Sequence, residues 1–319
     1  MATQRKIVHF LEYAGLKLSL AFFGAMGLDR ASAVGGWLGR TLGPKFGITG
    51  RARKNIALAM PELTPEEIER IVVGMWDNLG RTIAEYAHLE KFALPEERHR
   101  IEIVNAGALR AVAASGNGGV FVSGHFANWE LMPLVMRLEN MEGGEVYRHA
   151  NNPFVNDWMV SMRERLTGGA VQIPKGNPGA RIIVKLMREN KFVAMLTDQK
   201  MNDGVEVKFF GQRAMTTAAP AGLAIRYNVP VVPAYIERLG GARFRVTVYN
   251  PITAREGVEP IEEVLRITQE LNDFLEARIR EHPEEWLWLH DRWTPQRKVG
   301  PRRQAQLQAQ AEIYNRIQD

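Results

Sequence analysis

The stretch VSGHFANWE, residues 122–130, has the side chains for proton-transfer chemistry. His125 follows a glycine, and a carboxylate, Glu130, stands shortly after it. A carboxylate that holds one imidazole nitrogen fixes the tautomer and stabilises the cation formed when the other nitrogen takes a proton. Such a pair is a general base able to deprotonate a hydroxyl. On a continuous helix, residues at this spacing differ by about 140° and do not face each other. The pair can therefore meet only if His125 lies in a loop and Glu130 one turn into a helix. Taken alone, the same residues also fit a structural role, a half-buried histidine bonded to a helix-start glutamate.

The flanking sequence supplies that break. Val120-Phe121-Val122 reads as a buried strand, Ser123-Gly124 ends it, and a helical run starts at Asn128. Ligands bind at such strand ends in open α/β sheets. Further short apolar runs occur at 101–104, 144–148, 170–173, 192–197, 229–237 and 243–249. Helical segments between them are expected near 106–115, 127–140, 153–168, 178–190 and 217–228, with a long helix near 260–281. Alternating strands and helices predict an α/β fold, a mostly parallel or mixed central sheet flanked by helices. Residues 29–91 read as helical, broken at Gly43-Pro44 and Pro61, with a capped start at Thr64-Pro65-Glu66-Glu67.

The first 28 residues are a different element. Residues 7–28 are long enough to cross a bilayer, but Glu12 and Lys17 interrupt them. His9, Glu12, Tyr13, Lys17 and Ser19 gather on one side, and Ile7, Leu11, Ala14, Leu18, Phe22 and Ala25 on the other. A membrane-associating helix lying in the interface is expected; the alternative is a core helix. Nearby Arg5, Lys6, Arg30, Arg40, Lys45, Arg51, Arg53 and Lys54 suit an anionic membrane surface. The expected organisation is an anchor over 1–28, one catalytic domain over 29–300 and a peripheral tail over 301–319.

Composition narrows the chemistry. The 319 residues include no cysteine, which removes a catalytic thiol and disulfides. The formal charge of +5 admits several anionic partners. No zinc-finger spacing and no aromatic-basic signature points to nucleic acid. Gly-x-Ser-x-Gly, the P-loop and Gly-x-Gly-x-x-Gly are absent, and the histidines lack metal-ligand spacing. No metal and no cofactor are expected.

Four motifs in series resemble one family. SGHFANWE is similar to the His-x4-acid motif of glycerolipid acyltransferases, with glutamate as in the lipid A late acyltransferases, the lauroyl and myristoyl transferases. VYRHANNPFVNDWMVSMRER (146–165) resembles the Tyr-Arg, Asn-Pro and Arg-x-Arg block of that branch. LTDQKMNDG (196–204), VKFFGQRAMTTAAPAGLA (207–224) and VPVVPAY (229–235) resemble its Asp-Gln, Phe-Phe-Gly and Pro-Val-Val-Pro blocks. EEWLWLHDRW (284–293) resembles its closing Trp-x-x-His-x-Arg-Trp motif. The resemblance spans roughly residues 5–297. Lys200 departs from it, standing where an acid often follows Asp-Gln. Actinobacterial mannoside acyltransferases share much of the pattern.

The resemblance implies acyl transfer from a thioester, usually on acyl carrier protein, to a hydroxyl of a lipid A precursor at the cytoplasmic face of a bacterial inner membrane. It implies His125 as base, Glu130 orienting it, and Arg163 stabilising the carbonyl oxygen, with no covalent intermediate. Arg148, Asn152, Arg165, Asp198 and Gln199 are the expected substrate-binding residues. Arg148 would hold phosphate, and Asp198 would orient Arg163 or the acceptor. Two alternatives stand beside this reading. One is a phosphatidylinositol mannoside or lysophospholipid acceptor; the other is a membrane scaffold without catalysis.

Overall fold

The computed structural model describes residues 2–293 together with 305, 309, 310 and 313, and the side chains from Arg5 onward. Most of the expected C-terminal tail lies outside the described residues; Ile313 packs against Val205, Val207 and Leu265.

Five strands run parallel: β8 (Val231–Gly240), β2 (Gly119–Ser123), β5 (Phe192–Leu196), β3 (Gly143–Tyr147) and β4 (Val171–Pro174), in that spatial order. β9 (Arg243–Val248) returns antiparallel to β8, and β1 (Ile101–Val104) pairs parallel to β9 at the edge. This is the expected α/β fold with a mostly parallel sheet. β2 is buried at every position, as a central strand covered on both faces must be. Valines and a phenylalanine suit that place because β-branched and aromatic side chains fit a pleated, covered surface.

Helices cover both faces. α5 (Ala106–Ala114), α6 (Met132–Leu138), α7 (Pro153–Thr167), α8 (Asn177–Arg188), α9 (Ala219–Tyr227) and α10 (Pro260–Glu281) fall near the expected segments. α7 starts where Asn152 caps the backbone N–H groups of Phe154 and Val155, and ends at Gly168 with φ 69°. The hairpin β6 (Val205–Phe209) and β7 (Gln212–Thr216) was not expected. Its signal is the alternation VEVKF and a Phe210-Gly211 turn with both φ values positive, 52° and 68°.

The N-terminal layer is helical. α2 (Leu28–Leu42), α3 (Thr49–Ala59) and α4 (Pro65–Glu85) follow α1 (Ala2–Gly24). The expected start of α4 is a full capping box between Thr64 and Glu67. α2 and α4 touch backbone to backbone: a Cβ on Gly39 would lie 2.0 Å from the Trp76 carbonyl oxygen. This close contact fixes α4, whose far end delivers Asn78, Thr82 and Glu85, with Tyr86 just past it, toward the loop after β2.

α1 exposes large apolar side chains that a soluble surface helix would bury. The side toward the protein carries His9, Tyr13, Leu16, Leu20 and Phe23, at helical spacing. Ile7, Phe10, Leu11, Leu18 and Phe22 are exposed. The span Arg5–Gly24 is long and apolar enough to cross a membrane, and almost none of it is buried within the protein. A core helix is therefore excluded for this segment. Part of the nearby basic cluster is paired within the protein: Arg40 with Asp77 and Arg53 with Glu69.

Candidate active site

His125, Asp198 and Gln199 meet at the carboxyl ends of two neighbouring strands. β2 and β5 pair in parallel with Ser123 beside Leu196, and Thr197 N–H donates to the Ser123 carbonyl at 3.0 Å. The chain after each strand therefore emerges at the same place. Gly124 is required before the histidine, because a Cβ there would lie 2.7 Å from the Phe126 ring and 3.1 Å from Leu275. Ala127 then adopts φ 42°, an uncommon conformation for a residue with a side chain. Its carbonyl accepts from Asn78 and Thr82 of α4, and its N–H donates to the Glu285 carbonyl. These contacts hold the strained turn that separates His125 from Glu130.

Asp198 is the carboxylate that holds His125. His125 Nδ1 lies 2.8 Å from Asp198 Oδ1, and the His125 backbone N–H donates to Oδ2 at 3.0 Å. The Trp286 indole N–H also donates to Oδ2, at 2.8 Å. Burial alone would raise the Asp198 carboxyl, but the charge and hydrogen bonds of His125, with the Trp286 bond, hold its pKa at about 2. An ionised Asp198 only accepts, so Nδ1 carries the proton, and Nε2 is the nitrogen whose lone pair is free in the neutral form of the ring.

Glu130 does not orient His125, contrary to the expectation from its spacing. The Arg163 guanidinium grips it in a bidentate pair, Nε to Oε2 at 2.7 Å and Nη2 to Oε1 at 2.6 Å. Tyr86 Oη donates to Oε1 at 2.7 Å. The physical reason is the helical turn at Trp129–Leu131, which aims Glu130 into the protein, away from the sheet edge. Trp129 stands between them: its ring centroid is 5.3 Å from that of His125, and its side chain hydrogen-bonds Glu130. Burial opposes ionisation of Glu130, yet the charge and hydrogen bonds of Arg163 keep its pKa below the ordinary value. Arg163 has its pKa raised, because Glu130 outweighs burial.

A third carboxyl sits behind this pair. Glu145 on β3 is buried and hydrogen-bonded by Gln172. Burial raises its pKa to about 7, against the opposing pull of Arg163. A raised carboxyl lowers stability as pH rises, because between 4.5 and about 7 the folded chain keeps a proton that the unfolded chain has lost. Glu145→Gln is expected to match the unaltered protein near pH 4. Near pH 8 it should be more stable by up to about 3 kcal/mol. Urea unfolding at the two pH values checks this.

The remaining expected residues divide. Gln199 reaches both His125 and the closing motif: its Nε2 lies 3.1 Å from His125 Nε2 and 2.6 Å from His290 Nε2. Arg148, just beyond β3, is exposed and near enough to help lower the pKa of His290. Arg165 is turned away. It is about 200° around α7 from Arg163 and makes an exposed ion pair with Glu90 at 2.7 Å. Asn152 is buried and committed to structure: besides capping α7, its Nδ2 donates to the His9 carbonyl and to Glu12. It fastens α1 to the protein.

Tyr86 and Glu145 were not found by sequence reasoning, and Trp286 and His290 were placed only within the closing motif, with no role at the site. Nothing local marks Tyr86 or Glu145, which act through distant partners. The closing motif did carry a signal for the other two. Leu287 N–H donates to the His125 carbonyl, and Asn55 of α3 binds the carbonyls of Trp288 and His290. The motif thus lies along the His125 loop.

A family model described as "Bacterial lipid A biosynthesis acyltransferase" matches residues 2–295. The chain belongs to this family. Among curated relatives, it is 24% identical over 235 residues to a phosphatidylinositol mannoside acyltransferase of Mycolicibacterium smegmatis, covering 68% of this chain and 72% of the relative. It is 23% identical over 256 residues to the lipid A biosynthesis lauroyltransferase of Escherichia coli, covering 78% and 80%. It is 26% identical over 261 residues to the lipid A biosynthesis palmitoleoyltransferase of the same organism, covering 78% and 79%. The chain is thus an acyltransferase of the lipid A acyltransferase family, and a lipid acceptor goes with that family.

Proposed function

We propose that this family member transfers a fatty acyl chain from an acyl carrier protein thioester to a hydroxyl of a lipid A precursor. The observation that carries the reading is the His125–Asp198 contact, which leaves an unprotonated Nε2 at the sheet edge. In this mechanism Nε2 takes the acceptor's proton while the oxygen attacks the thioester carbonyl. Negative charge gathers on the carbonyl oxygen, and the thiol leaves as the carbonyl reforms. His125 returns its proton to the departing sulfur. Asp198 replaces Glu130 as the group that orients the base. Arg163, part of whose guanidinium is not used by Glu130, remains the proposed donor to the carbonyl oxygen; Arg148 faces the acceptor's phosphate.

The exposed apolar side of α1 supports insertion into a membrane surface, with 1–28 as anchor, the domain behind it and the active site on the cytoplasmic side. The anionic surface, the acidic carrier protein and the acceptor phosphates would all meet a chain of net charge +5. The relatives that act on phosphatidylinositol mannoside favour a second acceptor, a lipid-linked mannoside.

Mass spectrometry of total lipids from cells with and without the chain separates these readings. Loss of one acyl mass from lipid A, restored by the unaltered protein and not by His125→Ala, is the expected result. A shift confined to a mannoside or phospholipid would move the acceptor and keep the chemistry. Unchanged lipids of every class would oppose both.

A further inference from the structure

We infer that the buried Glu85–Arg238 pair positions the catalytic groups: it holds the strained Ala127 turn and so sets where the base stands relative to the carbonyl-oxygen donor. This inference rests on the proposed roles of His125 and Arg163. Glu85 ends α4 and Arg238 lies on β8, with side chains 0% and 7% exposed. Every N–H group of the Arg238 guanidinium has an acceptor. Nε donates to Asn78 Oδ1 at 3.0 Å. Nη1 donates to Glu85 Oε1 at 2.5 Å and to the Gly241 carbonyl at 2.7 Å. Nη2 donates to Glu85 Oε2 at 3.2 Å and, more weakly, to Thr82 Oγ1 at 3.4 Å.

These partners converge on the turn. With its oxygen held by Arg238, the Asn78 amide presents its nitrogen to the Ala127 carbonyl at 3.1 Å. The Thr82 hydroxyl donates to the same carbonyl at 3.0 Å. Glu85 Oε2 accepts from the Asn128 side chain at 2.8 Å. A further tie comes from the Arg238 main chain. Its N–H donates to the Glu285 carboxyl, and the Glu285 carbonyl accepts from the Ala127 N–H at 3.0 Å. Both backbone polar groups of Ala127 thus lead back to one arginine.

Ala127 has φ 42°, a conformation that a side chain disfavours and that persists only when the surroundings over-determine it. A buried ion pair often adds no net stability over well-packed apolar residues, because desolvation offsets the attraction. What this pair adds is geometry. On one side of the turn His125 is held by Asp198; on the other Glu130 is held by Arg163 and Tyr86. Residues 126–129 are the link between these two anchors. A turn that relaxed to negative φ at Ala127 would change the separation of His125 and Arg163, and a misplacement of about 1 Å can lower a rate about 100-fold. Glu85 and Arg238 touch neither group, so both are positioning residues.

Arg238→Lys keeps a charge beside Glu85 but loses the planar fork that reaches Asn78 and Thr82. Purified full-length protein is given dodecanoyl thioesters of coenzyme A and of acyl carrier protein, with a vesicle-borne lipid A precursor or water alone as acceptor, and thiol release is followed. At a temperature where circular dichroism shows the variant folded, kcat is expected to fall about tenfold while the thioester KM changes less than about twofold. Adding Ala127→Gly should restore most of the loss, because glycine adopts positive φ without strain. Thr82→Val removes one donor to Ala127 and leaves the ion pair intact. It should give a smaller loss, also relieved by Ala127→Gly, and it carries the test if Arg238→Lys does not fold. Hydrogen exchange gives a readout free of turnover: protection over residues 125–130 should fall about tenfold in Arg238→Lys while β2 keeps its own. An unchanged kcat in the folded variants, a loss that Ala127→Gly does not relieve, or protection lost equally from β2 would overturn the positioning role. Undiminished thiol release in His125→Ala would instead sink the base reading beneath it.

Discussion

Asp198→Asn is expected to lower the rate of acyl transfer by about 10³- to 10⁴-fold, in the range seen when a base loses its orienting carboxylate. Both oxygens of Asp198 are in use. Oδ2 accepts from the His125 backbone N–H and from Trp286, and Oδ1 faces His125 Nδ1. An asparagine satisfies the two N–H donors at Oδ2 only by placing its own NH₂ against Nδ1. That nitrogen must then accept, so the proton moves to Nε2 and the base is lost. The replacement is nearly isosteric, so the fold should survive. The wild-type carboxylate contributes roughly 2 kcal/mol of stability above pH 4, lost as pH falls through its folded pKa of about 2. Steady-state transfer rates with urea unfolding at pH 7 separate the large catalytic effect from the small one on stability. His125→Gln should give a similar rate loss, and the double variant little more.

Glu130→Leu is expected to destabilise the protein by about 3–5 kcal/mol, because it leaves the Arg163 cation buried without its partner. The side chains of the pair are only 13% and 3% exposed, so solvent cannot replace the lost contact. Arg163→Met should cost a similar amount, leaving Glu130 with Tyr86 and Trp129 as its donors. Replacing both should cost much less than the sum, since neither variant then strands a charge. Unfolding of the two single variants and the double forms a closed cycle. Additive losses would mean that the ion pair is not the dominant interaction. Arg163→Lys keeps the charge but loses the paired geometry, so any rate loss beyond its stability loss would reflect the guanidinium's proposed role at the carbonyl oxygen.

Much of the scaffold could be read from residue patterns. The strand–break–helix grammar around Gly124 located the site at a sheet edge, and every apolar run from 101 to 249 became a strand. Alternating hydrophobicity and caps are local signals, so they survive in one dimension. The partner of His125 is not local. Glu130 is near in sequence but aimed inward by its helical turn, whereas Asp198 is distant in sequence and adjacent only because β2 and β5 are neighbours. Strand order is what decides the pairing, and no spacing rule encodes it. Arg165 shows the converse: a motif groups it with Arg163, but helix geometry puts the two on opposite faces. Asn152 and α1 were legible as separate elements, while their contact was not.

The most direct test of the proposed chemistry is a single-turnover experiment with protein in excess over a labelled acyl thioester and with the glycolipid acceptor present. The label should pass from thioester to acceptor without appearing on the protein, and His125→Gln should abolish the transfer. Label on the protein before product forms, or undiminished transfer in His125→Gln, would contradict direct attack by a hydroxyl activated at His125.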